Sequence, residues 1–503
     1  MKKLRITIID LIDNSLSSSL YKRFMFNNYM SIMPQIIAVW CKEEGHKVNY
    51  SLFTGLQTLK NLVEDRTDIV FISSFTFTAQ LAYAVSNFFR LKGIPTVLGG
   101  PHARSYPIDA SNYFDYVLGL TDKELLKDLL HNFELNKQRG KHLSASSQPT
   151  SIPGVRERWE FIEKIHQQYS IVKVVPMLGS FGCPYKCDFC VDSEIPYQTL
   201  DMDMIKGDLQ FLVKKMKHPR VSWYDPNFGI NFNLFLDAIE SAVSPGAIDF
   251  VAESSLSILN ETNVKRLKKS GFVMIMPGIE SWSDYGNKSK TVSCSGMDKV
   301  LQVAEQVNMI QRYIPQVQTN LMFGFDGDSG EEPFELTKRF IDLVPAAYPA
   351  FALLSIFGQS PNSNFRYKTE NRIIPFPFHF LRSAYMLNIL PRNYTWEELY
   401  IHFIDILKYS FSDKAMYRRF NAVRMVAPKW VVLFLSLTED GRYRIKRLSS
   451  LMNRLRNDQD FMLFVKKEST RVPIFMIDSV KKDLSQLWHW LPDKSLSYDL
   501  DIP

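Results

Sequence analysis

Short apolar strands alternate with helical segments along most of this chain, and that alternation limits the possible folds more than any other feature. In the first 120 residues, continuous Val, Ile and Leu runs are typical of a parallel sheet covered by helices on both faces. Such a small, doubly wound, Rossmann-like domain binds ligands at the carboxyl ends of its strands. The predicted strands are residues 5–12, 47–53, 68–73, 95–98 and 116–119, and the predicted helices are residues 33–44 and 79–91.

A second alternating region follows a polar stretch at residues 133–160, which we interpret as a linker that ends near residue 170. Six strand–helix units then predict a partial (β/α)6 barrel of the TIM type, with its chemistry at the C-terminal strand ends. Beyond residue 376, aromatic residues at helical spacing predict a helical cap or substrate domain. The predicted fold is therefore α/β, divided into residues 1–145, 171–375 and 376–503, with barrel strands at residues 171–177, 221–224, 249–253, 273–278, 317–323 and 351–357.

Charge and apolar content limit the partners. The chain has 60 Lys and Arg against 53 Asp and Glu, so a net charge of +7 is spread thinly over 503 residues. No basic run predicts a nucleic-acid groove; the spacing at residues 442–456 predicts a solvated helix face, with contact to a membrane surface as the alternative. Neither a signal peptide nor an apolar stretch of about 18 residues is evident, so we expect a cytoplasmic protein without a transmembrane segment. The most apolar segment, residues 430–437, is interpreted as core.

Three of the five cysteines lie close together in the sequence GSFGCPYKCDFC, residues 179–190. An odd cysteine count without a secretion signal argues against a disulfide framework. The C-x3-C-x2-C spacing after a strand allows Cys183, Cys187 and Cys190 to hold one 4Fe–4S cluster. Such a cluster usually takes four thiolates, so three leave one iron open to chelate an amino and a carboxylate group. A structural zinc site is the alternative, with His166 or Cys294 as fourth ligand.

At these residues the chain resembles the radical S-adenosylmethionine superfamily, and the resemblance covers roughly residues 171–375. It implies that the cluster reduces bound S-adenosylmethionine, which cleaves to methionine and a 5′-deoxyadenosyl radical that abstracts hydrogen from a substrate. It also implies cofactor contacts at the strand ends, although WYDPNFG stands where Gly-Gly-Glu is frequent and the segment after the sixth strand is degenerate. Ordinary turns, solvated carboxylates and barrel layers are the alternatives. The candidate S-adenosylmethionine contacts are Phe189, Tyr224, Asp225, Glu253, Gly278, Glu280, Gln318, Asn320 and Phe357, with Gln359 beside them.

The first domain resembles the cobalamin-binding module of one subgroup of this superfamily, at ISSFTFT (residues 72–78) and LGGPHA (residues 98–103). The resemblance implies hydrogen bonds to the cobalamin tail, close backbone approach at the glycines and an aromatic side chain against the corrin. The Asp-x-His-x-x-Gly loop that supplies an axial histidine is absent. A degenerate domain without corrin is the alternative. The candidate contacts are Ser73, Ser74, Phe75, Thr76, Phe77, Gly99, Gly100, Pro101 and His102.

The leading hypothesis is a cobalamin-dependent radical methyltransferase that acts on an unactivated carbon, with the protein supplying position and exclusion of water. A radical enzyme that cyclises, contracts or rearranges its substrate without methyl transfer is the second hypothesis, and a non-catalytic iron–sulfur or zinc protein is the third. The expected partners are a small-molecule, peptide or lipid-like substrate and a low-potential electron donor such as flavodoxin or ferredoxin. Substrate identity, the role of Cys294 and oligomeric state cannot be read from the sequence.

Overall fold

The computed structural model describes residues 3–12, 30–53, 66–133, 139–169, 172–187, 189–193, 195–283, 295–358 and 366–498. These residues form two parallel sheets and a group of C-terminal helices around one continuous apolar core. The predicted α/β class is therefore confirmed. Cys294 and Gln359 lie outside the described residues.

The first sheet contains β1 (Arg5–Leu11), β2 (Lys47–Phe53), β3 (Ile69–Ser73), β4 (Thr96–Gly99), β5 (Tyr116–Leu118) and β6 (Lys141–Leu143). Its strand order is β2-β1-β3-β4-β5-β6, and Ile6 of β1 lies opposite Val48 of β2 and Ile69 of β3. The strand order reverses between β1 and β3, and sheets of this kind bind ligands at that switch point. The helices of this region are Ile32–Glu43, Ala79–Arg90, Pro101–Ser105, Pro107–Ser111 and Lys123–Asn132, with a 3-10 turn at Thr76–Thr78.

The prediction of a linker over residues 133–160 was wrong. Lys141–Leu143 forms the sixth strand, paired in parallel with β5, and the helix Val155–Tyr169 follows. The backbone holds β6 in place, because Lys141 N donates to Asp115 O at 2.9 Å and Gly119 N donates to Leu143 O at 2.8 Å. An edge strand with half-buried or exposed side chains needs no apolar run, so hydrophobic patterning did not reveal it.

The second sheet begins with β7 (Val175–Met177) and continues with β10 (Arg220–Trp223), β11 (Asp249–Ser255), β12 (Phe272–Glu280), β13 (Gln316–Phe323) and β14 (Tyr348–Leu353). These strands are parallel and lie in chain order, with β7 and β14 at the two edges, so the sheet is an open barrel. Between β7 and β10, β8 (Ser180–Phe181) and β9 (Gln198–Thr199) form a short antiparallel pair. The helices of this region are Met202–Lys215, Phe232–Ala242, Glu261–Ser270, Gly296–Tyr313 and Glu332–Leu343.

The sixth barrel strand ends earlier than predicted, at Leu353 instead of residue 357. Beyond Leu353, the backbone and Ser355 form hydrogen bonds with residues 386–388 instead of pairing with a neighbouring strand. Ile356 N donates to Asn388 Oδ1 at 2.8 Å, and Ser355 Oγ donates to Met386 O at 2.8 Å. The apolar run continues past the strand because it packs against this segment.

The C-terminal region is helical, as predicted, from residue 396 onward. Its helices are Trp396–Ser410, Asp413–Ala422, Val426–Leu437, Arg444–Asn457, Gln459–Val465 and Ile474–Leu484, with short turns of other helix types at Phe378–Phe380, Glu439–Tyr443, Ser485–Trp490 and Asp493–Leu496. Residues 430–437 were wrongly predicted as core, because Trp430 is 60% exposed and only Val432 and Ser436 of that segment are buried. Within the part of the chain that the structure describes, no helix combines the length and apolarity needed to cross a membrane.

Arg158 joins the helix Ile32–Glu43 of the first region to strand β7 of the second sheet. Its buried guanidinium donates to Gln35 Oε1 of that helix at 3.0 Å and to Pro176 O of β7 at 3.4 Å. Nε also donates to the carbonyls of Pro153 and Gly154, both at 3.2 Å. Burial lowers the pKa of Arg158 to about 10, still high enough for the side chain to stay charged at neutral pH.

We expect Arg158→Met to lower the free energy of unfolding by roughly 3 kcal/mol, because buried acceptors lose their donor. Arg156→Met is the matched control: Arg156 lies on the same helix but is exposed, so its loss should cost less than about 0.5 kcal/mol. Denaturant titration of the two variants measures the difference. An equal loss of unfolding free energy in the two variants would contradict the proposed role of Arg158 in holding the two regions together.

Candidate active site

The three cysteines lie in a loop that leaves the end of β7. Cys183 and Cys187 are buried, and Cys190 is half-buried. The backbone turns tightly around them, because Cys190 N donates to Cys187 O at 3.1 Å and Ser193 N donates to Cys190 O at 3.2 Å. The β8–β9 pair closes the base of the loop. The three predicted cluster ligands therefore lie on one short, locally hydrogen-bonded segment.

Gly182 allows the two ends of this loop to meet. Its φ is +64°, a conformation that side chains other than glycine rarely adopt. A Cβ there would lie 2.3 Å from Ile195 O and 2.5 Å from Pro196 O. The glycine immediately before the first cysteine therefore permits backbone contact that any larger residue would prevent.

Asp225 supports the base of the same loop. Its carboxylate accepts hydrogen bonds from Gly179 N at 3.0 Å and from Ser180 Oγ at 2.5 Å. Burial raises the pKa of Asp225 to about 6, although these donors favour the charged form. The side chain thus binds protein groups next to the loop, and its contact with S-adenosylmethionine stays a prediction.

Asp225→Asn tests this buried carboxylate through its pH dependence. The folded-state pKa near 6 lies above the ordinary value of 3.8, so the folded protein binds more protons than the unfolded chain between about pH 4 and pH 6. Wild-type stability contributed by protonated Asp225 is therefore lost as the pH rises through that window. We expect the Tm of the variant to rise relative to wild type over this range and then to stay constant. The corresponding change in the free energy of unfolding is at most about 3 kcal/mol. A Tm difference between variant and wild type that stays constant from pH 4 to pH 7 would contradict the raised pKa of Asp225.

The inner face of the barrel sheet presents polar side chains at several strand ends. Along β13, the predicted alternation is confirmed: Gln318 and Asn320 lie on the accessible face, and Gln318 Nε2 donates to Asn320 Oδ1 at 3.0 Å. Glu253 on β11 is exposed. Three partly buried methionines, which the sequence analysis missed, lie on β12 and β13: Met274, Met276 and Met322.

Glu280 ends β12 in a strained conformation. Its φ is +65°, and the pairing register between β12 and β13 shifts between Gly278 and Glu280. A Cβ on Gly278 would lie 2.3 Å from Glu280 Oε1, so the carboxylate folds back over the glycine. Strain of this kind is typical of functional sites. Phe189, just before Cys190, packs edge-on against Phe325 after β13 at 5.6 Å and so ties the cysteine loop to the barrel.

A cavity of about 770 Å³ lies where the carboxyl ends of the two sheets meet. The first sheet lines it with six of the nine predicted cobalamin contacts: Ser73, Phe75, Phe77, Gly99, Gly100 and Pro101. The barrel side lines it with residues of the cysteine loop and two predicted S-adenosylmethionine contacts: Ser180, Phe181, Gly182, Asp192, Ile195, Tyr224 and Phe357. One cavity thus receives side chains from both predicted cofactor regions.

The other three predicted cobalamin contacts do not line this cavity. Ser74 is buried and its hydroxyl bonds Thr78 Oγ1 at 2.8 Å, while Thr76 is buried in the following turn. His102 is fully buried, and its Nε2 lies 2.6 Å from Tyr83 Oη, which also donates to Asp109. Burial lowers the pKa of His102 to about 3. Ser74 and His102 thus bond other protein side chains, and the contacts of these three residues with cobalamin stay a prediction.

The wall formed by residues 381–385 was missed by the sequence analysis. Backbone groups fix it: Leu353 N donates to Ser383 O at 2.6 Å, and Arg444 Nε donates to Ala384 O at 2.9 Å. The Arg382 guanidinium lies 4.2 Å from the Phe77 ring, which stacks on Phe75 at 5.5 Å. This segment has neither strand nor helix periodicity, so no signal in the sequence placed it here.

Three cysteines on one loop are a donor set of the kind that holds an iron–sulfur cluster. Among the residues that the structure describes, no three His, Cys, Asp or Glu side chains converge on a single ion site. Thiolates of an iron–sulfur cluster bind different irons and therefore need not converge. His166, one candidate fourth zinc ligand, is buried with Nε2 3.0 Å from Val174 O.

Comparison with known proteins agrees with this geometry. Residues 177–340 match the family model of the radical SAM superfamily, a range that contains the three cysteines of the loop and the strands from β8 to β13. Residues 177–340 are therefore similar to a radical SAM domain, and the radical SAM family uses a 4Fe–4S cluster and S-adenosylmethionine.

Two methyltransferases are similar to this chain in sequence. Bacteriochlorophyllide d C-12(1)-methyltransferase of Chlorobaculum tepidum is 22% identical over 375 residues, covering 73% of this chain and 80% of the relative. Bacteriochlorophyllide d C-8(2)-methyltransferase of the same organism is 24% identical over 305 residues, covering 57% and 66%.

Two solved structures share the fold, both of the radical S-adenosylmethionine methyltransferase TsrM from Kitasatospora setae. The one with tryptophan substrate and a S-adenosylmethionine analogue bound matches with a TM-score of 0.56 and 12% identity, over 90% of this chain and 99% of that chain. The one with cobalamin and a 4Fe–4S cluster bound has a TM-score of 0.53 and 12% identity, over 73% and 75%.

Proposed function

We propose that this chain is a cobalamin-dependent radical SAM methyltransferase that methylates an unactivated carbon of a small molecule. The observation that carries the proposal is the shared cavity. A methyl donor at the strand ends of the first sheet and a radical generator at the cysteine loop would both face the same 770 Å³ space. The named methyltransferases among the relatives and structures support the same reaction class.

Cys183, Cys187 and Cys190 would hold the cluster, with Gly182 and Asp225 fixing the loop that carries them. When bound, the cluster supplies the electron that cleaves S-adenosylmethionine. Tyr224, Glu253, Gln318, Asn320 and Phe357 are the proposed contacts to that cofactor. Tyr224 and Phe357 line the cavity, and the other three lie on accessible faces of β11 and β13.

Cobalamin would lie against Ser73, Phe75, Gly99 and Gly100 at the switch point of the first sheet. When bound, it supplies the methyl group. Gly100 has a φ of +93°, and its missing side chain lets β4 and the loop after β3 lie close together beside the cavity that Gly100 lines. His102 bonds Tyr83 in the protein interior, which supports a corrin without a histidine ligand from this loop.

The acceptor substrate would fill the space beneath residues 381–385. Apolar side chains form most of this cavity, and Arg104, Arg382 and Asp192 are its charged groups. Arg104 lies 3.9 Å from Asp192, and Arg382 stacks on Phe77. This lining fits a mainly apolar small molecule.

A flavodoxin or ferredoxin would supply electrons. We propose functional units of residues 1–145, 171–375 and 376–503, as in the sequence analysis.

S-Adenosylmethionine with a labelled methyl group tests the proposal. Purified protein with cobalamin bound should transfer the label to the corrin, and an acceptor incubated under reduction should gain it on carbon. Cleavage of S-adenosylmethionine under reduction, without label on corrin or product, would support radical rearrangement instead. No cleavage and no transfer would reject both reactions.

A further inference from the structure

An apolar surface lies on the side of the C-terminal helices, outside the cavity. The 417–437 face consists of Tyr417, Met425, Val426, Trp430, Val431 and Leu437, all of them exposed. Tyr417 is 73% exposed, Val426 is 71% and Trp430 is 60%. Val426, Trp430 and Leu437 share one helical stripe, opposite the buried Val432 and Ser436. Large apolar side chains gathered in this way mark an interaction surface.

The sequence of this face is basic, between acidic residues at Asp413 on one side and Glu439 and Asp440 on the other. Residues 414–438 contain five Lys or Arg and neither Asp nor Glu. Arg419 is buried, and Arg418 pairs with Asp342 at 2.6 Å. Lys414 and Arg424 are exposed and Lys429 is half-buried, its ammonium 5.4 Å from the Phe420 ring. Phe420 also packs edge-on against Trp430 at 5.4 Å, which places a basic group directly beside the indole.

We propose that the 417–437 face binds the surface of an anionic lipid membrane. Exposed Trp and aliphatic side chains insert at the headgroup boundary, and basic residues beside them attract anionic lipids. The 12-residue helix Val426–Leu437 is long enough to lie in the interface but not to span a bilayer. A second copy fits poorly, because a two-fold contact would set basic side chains against basic side chains. This proposal is independent of the reaction that the enzyme catalyses.

Sedimentation of the reconstituted full-length enzyme with vesicles tests the proposal. Vesicles of phosphatidylcholine with about one third phosphatidylglycerol should bind it, whereas pure phosphatidylcholine should bind it far more weakly. Arg424→Gln/Lys429→Gln should weaken anionic binding roughly thirtyfold, at about 1 kcal/mol per basic residue. Val426→Ser/Trp430→Ser should weaken binding to both vesicle types by at least about tenfold. Leu91→Ser is the matched control, since Leu91 is 67% exposed on the first domain and should leave binding unchanged.

The proposal is overturned if anionic vesicles do not bind the enzyme at low salt, or if Leu91→Ser weakens binding as much as the paired variants. It is also overturned if Val426→Ser/Trp430→Ser converts a dimer to a monomer in analytical ultracentrifugation without changing vesicle binding. That result would assign the face to self-association. Iron content and S-adenosylmethionine cleavage should stay at wild-type levels in every variant, which separates a membrane effect from loss of fold.

Discussion

Cys187→Ala is expected to remove the cluster and with it all reductive cleavage of S-adenosylmethionine. The side chain is buried at the centre of the loop, between Cys183 and Cys190. Two remaining thiolates cannot hold a cluster that normally takes four. Because loss of groups that only support a metal ligand already costs about 10–100-fold, removal of a ligand should lower cleavage by more than about 100-fold. Iron content, visible absorbance and 5′-deoxyadenosine formation measure the effect.

Cys41→Ala provides the matched control. Cys41 is equally buried but lies in the helix Ile32–Glu43, and burial in apolar surroundings raises the pKa of its thiol far above the ordinary value. Its loss should cost about 1 kcal/mol of stability while iron content stays at the wild-type level. If Cys187→Ala retained iron and cleavage, the assignment of the cluster ligands would be wrong.

Gly100→Ala is expected to abolish high-affinity cobalamin binding while the cluster remains. The φ of Gly100 is +93°, and a Cβ would lie 2.9 Å from Ser74 O and 3.1 Å from Ser74 N. The left-handed conformation alone costs a non-glycine residue roughly 1–2 kcal/mol. Relief of the contact must move either β4 or the loop after β3, which together form the proposed cobalamin surface. The affinity for hydroxocobalamin should fall by at least about tenfold.

Gly93→Ala separates the contact from the strain. Gly93 has a φ of +74°, but a Cβ there would meet no atom within 4 Å. That variant should lose only the roughly 1–2 kcal/mol of the left-handed conformation and keep its cobalamin affinity, measured by titration of the corrin absorbance. Equal cobalamin affinity in Gly100→Ala and wild type would place the corrin elsewhere on the protein.

Chemistry that depends on local spacing could be predicted from the sequence. The cysteine triad needs only a strand and a short loop, and the period of two along β13 placed Gln318 and Asn320 on one face. The parallel apolar strands could also be predicted, because strands buried on both faces need continuous apolar runs.

Features that depend on tertiary contact could not be predicted. Ser73 and Ser74 are neighbours of the same residue type, yet Ser73 lines the cavity and Ser74 bonds Thr78. Asp225 lies at a strand end as expected, but its carboxylate accepts hydrogen bonds from Gly179 and Ser180. The wall at residues 381–385 is held by partners such as Arg444 that lie far along the chain.

The iron and corrin content of anaerobically reconstituted protein, from cells grown with added cobalamin, tests the central claim most directly. We expect about four irons and about one corrin per chain, with the iron lost in Cys187→Ala and the corrin lost in Gly100→Ala. Iron without corrin would contradict the methyltransferase and leave a radical SAM enzyme of another kind. Zinc in place of iron would contradict the account as a whole.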